Sequence, residues 1–304
     1  AAAIKTPRAH MIAKGAAEEA PEAAYNAYTE QLLMLDSPGF YFHKPEAAAE
    51  VMKQIGSGGG SGGSGGSGGG AVNNTALQSL LSAKREHGTK LILFPQHLPK
   101  LHPGLDEVFR DILRQVPNSK LVLVFGASKK WQWRRTLERR WQQTEGSLGT
   151  ALMEERDERG DTRIIWLDNL ASNEYLALLA AGDLMLDPFP FGGGVTTLES
   201  LSVCTPVLTL PAAQSVPALA AGMIYQWSAA ANDSSIASSL IASSTQDFVN
   251  KAVSLLLADP AGTGAGEEGV STKLQALRGS ACTYAEVLYS SQAAVLEWAQ
   301  LLWT

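Results

Sequence analysis

The run from Leu184 to Leu210 constrains this chain more than any other. An apolar triplet, Leu184 to Leu186, ends at Asp187. Pro188 and Pro190 interrupt regular structure, and Gly192 to Gly194 permit positive φ or a close backbone approach. Thr196 can then cap a helix, with Glu199 three residues on to complete a capping box. Pro206 closes that helix, and Val207 to Leu210 reads as the next strand. Strand, glycine turn, short helix, strand is the order of an α/β chain. A helix N-terminus that opens at the carboxyl end of a strand is a place where an anion can rest.

The rest of residues 71–304 repeats the alternation. Strands are predicted at Lys90–Phe94, Leu121–Phe125, Arg163–Leu167, Leu184–Leu186 and Val207–Leu210. Lys90–Phe94 is apolar almost without interruption, as in strands covered on both faces of a parallel sheet. Helices are predicted at Ala76–Glu86, Leu105–Val116 (with Pro103 suited to a first turn) and Asn173–Ala181, and over most of the chain after Leu210. The expected fold class is α/β, a doubly wound parallel sheet with right-handed crossovers. Ligands of such sheets bind beyond the carboxyl ends of the strands. The loops Pro95–Lys100, Gly126–Lys130, Asp168–Asn173 and Asp187–Thr197 lie there by architecture.

Gly56 to Gly70 contains only glycine and serine. It can bury nothing and carries no charge, so it reads as an engineered flexible linker that replaces a segment or joins two pieces, the alternative being a natural low-complexity loop. Residues 1–55 are too few to hold a core alone. They read as a remnant of another lobe or an interlobe segment that must pack on the remainder. Within them Gly39–Phe42 is a candidate strand and Pro45–Ile55 a candidate helix.

A net charge of −6, with 45% hydrophobic and 18% charged residues, fits a globular protein with a real core and gives no reason to expect nucleic acid. One basic aromatic stretch, Lys129 to Trp141, reads either as a patch for phosphate, RNA or an acidic partner, or as an amphipathic helix. Trp133, Leu137 and Trp141 recur at helical spacing, so the second reading places all three against the core. Cys204 and Cys282, the only cysteines, are widely spaced and are expected as free thiols. No apolar run is long enough for a spanning helix. The expected compartment is cytoplasmic or nuclear, with the secretory pathway left open.

The stretch Asp187 to Leu210 resembles the C-terminal catalytic lobe of the O-linked N-acetylglucosamine transferase family and its SPINDLY-like branch. The resemblance is carried by Asp187, Phe189, Pro190, Gly192 to Gly194, Thr196, Thr197, Glu199, Leu201, Pro206, Val207, Thr209 and Leu210. Two further blocks agree in order: Tyr28 to Leu32 leading to Gly39–Tyr41, and Lys100-Leu-His-Pro103 with Ile112 to Ser119. The resemblance implies a Rossmann-like lobe of a two-lobed GT-B glycosyltransferase. It also implies a nucleotide-sugar donor (UDP-GlcNAc first, GDP-fucose second), a serine or threonine of a protein as acceptor in the intact enzyme, and neither cofactor nor metal.

Roles follow from the same resemblance. Lys100 corresponds to the lysine that neutralises the departing diphosphate. Thr196 and Thr197, with backbone N–H groups of Gly193 and Gly194, would hold the phosphates. Glu199 corresponds to the acidic residue at the nucleotide ribose, and His97 falls near a glutamine beside the nucleotide. A cation and a helix N-terminus stabilise the negative charge that develops as the sugar leaves. The departures are Phe191 in place of an asparagine, Ser202-Val-Cys204 in place of Trp-x-Gly, Ser215-Val-Pro217 in place of Ser-Arg-Val, and Tyr175 in place of a histidine. They support the alternative, a non-catalytic α/β interaction module derived from the same fold.

Overall fold

The computed structural model describes Ser37 and residues 39–56, 74–125, 131–143, 156, 160–168, 170–211, 218–257 and 271–303. The loop Gly126–Lys130 and residues 57–70 of the glycine-serine run lie outside these, as does nearly all of the chain before Gly39.

Five strands form one sheet in the order β3-β2-β1-β4-β5, where β1 is Lys90–Phe94, β2 Ser119–Phe125, β3 Ile164–Asp168, β4 Leu184–Leu186 and β5 Val207–Leu208. Every pairing is parallel. All five residues of β1 are buried, as expected for a central strand with helices on both faces. The fold class is therefore as expected from the sequence. β5 is shorter than predicted: Thr209 leaves it to make a parallel bridge with Ile241.

Among the described residues, four α-helices precede β3: α1 (Ala47–Gly56), α2 (Thr75–His87), α3 (Gly104–Gln115) and α4 (Trp131–Gln143). Asn74 caps α2 by accepting the Leu77 N–H, and Gly88 ends it in the left-handed region at φ 61°. On α3 the buried residues Leu105, Val108, Phe109, Ile112 and Leu113 recur at helical spacing and face the sheet. Arg140 of α4 donates to Asp106 of α3 at 2.6 and 2.8 Å, and the Trp141 indole N–H donates to the same carboxylate at 2.8 Å. This buried, fully bonded carboxylate fixes α4 against α3.

After β3 come α5 (Ser172–Ala181) and α6 (Val195–Ser202); α7 (Leu219–Ala231), α8 (Ser234–Leu240), α9 (Thr245–Leu256), α10 (Thr272–Tyr284) and α11 (Gln292–Trp303) complete the lobe. The N-terminal segment packs on it. α1 lies against α5, Ser290 donates its N–H to Phe42 O at 2.8 Å, and the Trp298 indole donates to Gly39 O at 3.3 Å.

Two expectations are corrected here. Gly39–Phe42 forms no strand; it meets the lobe through single contacts rather than by pairing with a sheet edge. Cys204 and Cys282 are not free thiols but a disulfide, because the turn after α6 carries Cys204 to the side of α10. Their separation of 78 residues concealed that proximity. None of the helices among the described residues is long and apolar enough to cross a membrane.

Candidate ligand cleft

The sheet order places the site. Connections run from β1 to β2 and β3 on one side, and from β4 to β5 on the other. β1 and β4 are therefore neighbours at the point where the winding reverses, and a crevice opens beyond their carboxyl ends. The loop after β1 carries Gln96, His97 and the 3-10 turn Leu98–Lys100. The loop after β4 carries Asp187, the glycine turn and α6.

Between the two loops lies a cleft of about 630 Å³. Pro95 to Lys100 form one wall, Gly194, Val195 and Thr196 another, and Val124 and Trp133 close the side. His97, Lys100, Gly194 and Thr196 thus meet around one space. Lys100 reaches across it: its amine donates to Gly192 O at 3.1 Å, stands 3.5 Å from Gln96 Oε1 and sits 4.8 Å from the centre of the Phe191 ring. Burial pushes its pKa below the usual lysine range, with Asp187 pulling it back up.

The glycine turn is built around a buried carboxylate. Asp187 Oδ1 accepts the Gly193 N–H at 2.6 Å, and Oδ2 accepts the Thr209 hydroxyl at 2.8 Å. Burial pushes the carboxyl up to about 6; the bonds from Gly193 and Thr209 and the charge of Lys100 oppose that rise. A Cβ at Gly193 would stand 2.7 Å from Thr196 Oγ1, 2.8 Å from Gln96 Nε2 and 2.9 Å from Asp187 Oδ1. Only glycine lets these three side chains converge on the turn.

The capping box expected at the start of α6 does not form. Gly194, not Thr196, is the N-cap, and no side chain caps the helix. Thr196 Oγ1 instead accepts from Gln96 Nε2 at 2.6 Å. Glu199 is engaged by the Tyr175 hydroxyl, and burial raises its pKa against that bond. Among the described residues, the backbone N–H groups of Gly194, Val195 and Thr196 meet no protein acceptor. They are the orphan donors of a helix N-terminus. The Gly193 N–H, by contrast, is taken by Asp187.

Thr197 is fully buried, and its hydroxyl has no hydrogen-bond partner. It does not line the cleft, and neither does Glu199. Trp133 departs from the predicted stripe: Leu137 and Trp141 are buried, but Trp133 is 48% exposed and forms the side of the cleft. It sits in the first turn of α4, whereas the buried Leu137 and Trp141 lie in later turns.

No known family profile matches the sequence, and no curated protein gives a significant match. Solved structures do match. The UDP-forming α,α-trehalose-phosphate synthase of Burkholderia xenovorans superposes with a TM-score of 0.53 at 15% identity, over 86% of this chain and 51% of its own. The Escherichia coli trehalose-6-phosphate synthase bound with UDP-2-fluoro glucose gives 0.50 at 13% identity, over 84% of this chain and 49% of its own. The fold is that of a lobe of a GT-B glycosyltransferase. A mutant O-GlcNAc transferase of Thermobaculum terrenum aligns at 20% identity over 70% of this chain and 35% of its own, with a TM-score of 0.47. The chain spans about half the length of the trehalose-phosphate synthases it matches.

Sequence reasoning missed Gln96 and Trp133 as members of the cleft. Gln96 had a signal: it lies two residues after the end of β1, at the reversal of the winding and one residue before His97. Asp187 was read as the end of a strand; a carboxylate right after an apolar triplet, six residues before the middle glycine, was the cue for its bond to the turn.

Proposed function

We propose that this chain is the nucleotide-sugar-binding lobe of a glycosyltransferase. The donor is UDP-GlcNAc in the first instance and GDP-fucose in the second, and in the intact enzyme the acceptor is a serine or threonine hydroxyl of a protein. The observation that carries the reading is the Lys100 amine facing the uncapped N-terminus of α6 across the cleft. In that reading the donor diphosphate rests on the N–H groups of Gly194, Val195 and Thr196. Lys100 leaves Gly192 O and Gln96 Oε1 to pair with it. As the bond from the anomeric carbon to the diphosphate breaks and the acceptor oxygen bonds that carbon, its hydroxyl proton passing to water, negative charge grows on the leaving diphosphate. A preorganised cation and helix N-terminus stabilise that charge most where water is excluded.

The remaining residues take second places. Thr197 keeps an unsatisfied hydroxyl behind the helix start. Glu199, with Tyr175 beside it, stands toward the nucleoside, and His97 is exposed at the cleft rim. No metal is assigned a step. The Cys204–Cys282 bond favours an oxidising compartment, hence the secretory pathway over cytoplasm or nucleus. Residues 1–55 are read as a remnant of an N-terminal lobe or an interlobe segment, joined by the glycine-serine linker to 71–304.

One observation favours the alternative of a non-catalytic module: the Phe191 ring lies beside the Lys100 amine, at the position where the resembling family has an asparagine. Calorimetric titration with UDP, GDP, UDP-GlcNAc and GDP-fucose decides between them. Binding that weakens by about tenfold or more in Lys100→Ala supports the donor site; absence of heat with all four supports the interaction module.

A further inference from the structure

Trp133 is exposed in the cleft although the helix that carries it is firmly held. α4 is fixed by Arg140 and Trp141, both on the Asp106 carboxylate, and Arg140 also donates to Leu101 O at 3.1 Å. Leu137 and Trp141 supply its buried face, at 2% and 0% exposure. The indole of Trp133 is therefore not needed to seat the helix, yet it is placed on the same cleft as Lys100 and Thr196. A large aromatic surface kept half in water on a rigid element, beside orphan donors and a cation, is a ligand wall.

The position of Glu199 decides which part of a ligand that wall meets. A diphosphate on the start of α6 has two ends. In the donor-site reading the nucleoside end lies toward Glu199 and Tyr175, which do not line the cleft, and the other end enters it. A hexose fits its 630 Å³. A pyranose ring has an apolar face of C–H groups and a rim of hydroxyls. The C–H face is complementary to the electron-rich face of an indole, and Pro95, Pro99 and Val124 extend the apolar side.

We infer that Trp133 is the platform on which the pyranose ring of the donor stacks. The inference rests on the donor-site reading above and adds the residue that distinguishes a sugar nucleotide from the bare nucleotide.

The test compares wild type, Trp133→Ala and Trp133→Phe by calorimetry with UDP, UDP-GlcNAc, GDP and GDP-fucose, with thermal melts to show that the variants remain folded. The expected result is a fivefold to tenfold loss (roughly the worth of one aromatic contact) in affinity of Trp133→Ala for the sugar nucleotide. Affinity for the matching bare nucleotide should stay within about twofold, and Trp133→Phe should recover most of the loss. Equal losses for nucleotide and sugar nucleotide, or no loss for either, overturn the stacking role and leave the donor site standing. Wild type that binds none of the four ligands overturns both.

Discussion

The Asp187 carboxylate accepts the backbone N–H of Gly193 at 2.6 Å from inside the protein. Through this bond the last residue before the turn sets the turn's own shape: it fixes Gly193, which leaves Gly192 O aimed at Lys100 and Gly194 as the N-cap of α6. The second carboxylate oxygen ties the turn to Thr209 beyond β5.

That burial has a pH signature. The folded pKa is raised to about 6 from an ordinary value of 3.8, so between these values the native state holds more protons than the unfolded chain. Its contribution to stability therefore falls as pH rises through that window and is level above it. The span corresponds to about 3 kcal/mol at most. Asp187→Asn keeps an acceptor for Gly193 and removes the titration. Urea midpoints measured from pH 4 to pH 8 should show the variant gaining on wild type as pH rises to about 6, then running parallel.

Lys100 has its hydrogen bonds to oxygens at the cleft, Gly192 O and Gln96 Oε1. Its removal should cost ligand affinity rather than fold. For Lys100→Ala, calorimetry with UDP should show about a tenfold loss or more, in line with a lost charged hydrogen bond, with a melting temperature close to wild type. Because burial lowers the amine's pKa, UDP affinity of wild type should also decline at alkaline pH before an ordinary lysine would deprotonate, and that decline should vanish in Lys100→Ala.

Gly193→Ala should be damaging out of proportion to its size. The added methyl meets Thr196, Gln96 and Asp187 atoms at 2.7 to 2.9 Å, and these are hydrogen-bonding atoms already committed. The expected cost is about 1–3 kcal/mol in denaturant melts, together with loss of nucleotide binding under conditions where the variant is still folded.

The Cys204–Cys282 bond closes a loop of 78 residues that contains β5 and α7 to α9. Reduction, or Cys282→Ser, should destabilise the lobe by about 2–5 kcal/mol. Melting with and without reductant checks this; equal melting temperatures would count against the bond.

The fold was readable because its signals are local. Lys90–Phe94 and Leu184–Leu186 are apolar runs bounded by turn residues, and both are strands with the expected limits. The cleft was readable in part because architecture alone sends the loops after β1 and β4 to one edge. What escaped was decided by contacts distant in sequence. Thr196 looked like a cap because Glu199 comes three residues later, at the right spacing, yet Gln96, a hundred residues away, holds its hydroxyl, and Tyr175 engages Glu199. Trp133 matched a helical stripe, but spacing alone does not show that the first turn of α4 borders the cleft. The cysteine pair depended on where α10 packs, which no spacing encodes.

In the donor-site reading a diphosphate rests on the first N–H groups of α6. The most direct measurement is backbone amide NMR during titration with UDP. The account predicts the largest shifts at Gly194, Val195 and Thr196, with Gly193 moving less because Asp187 already holds its N–H. Shifts confined to other parts of the lobe, or none at UDP concentrations that saturate the calorimetric signal, would contradict it.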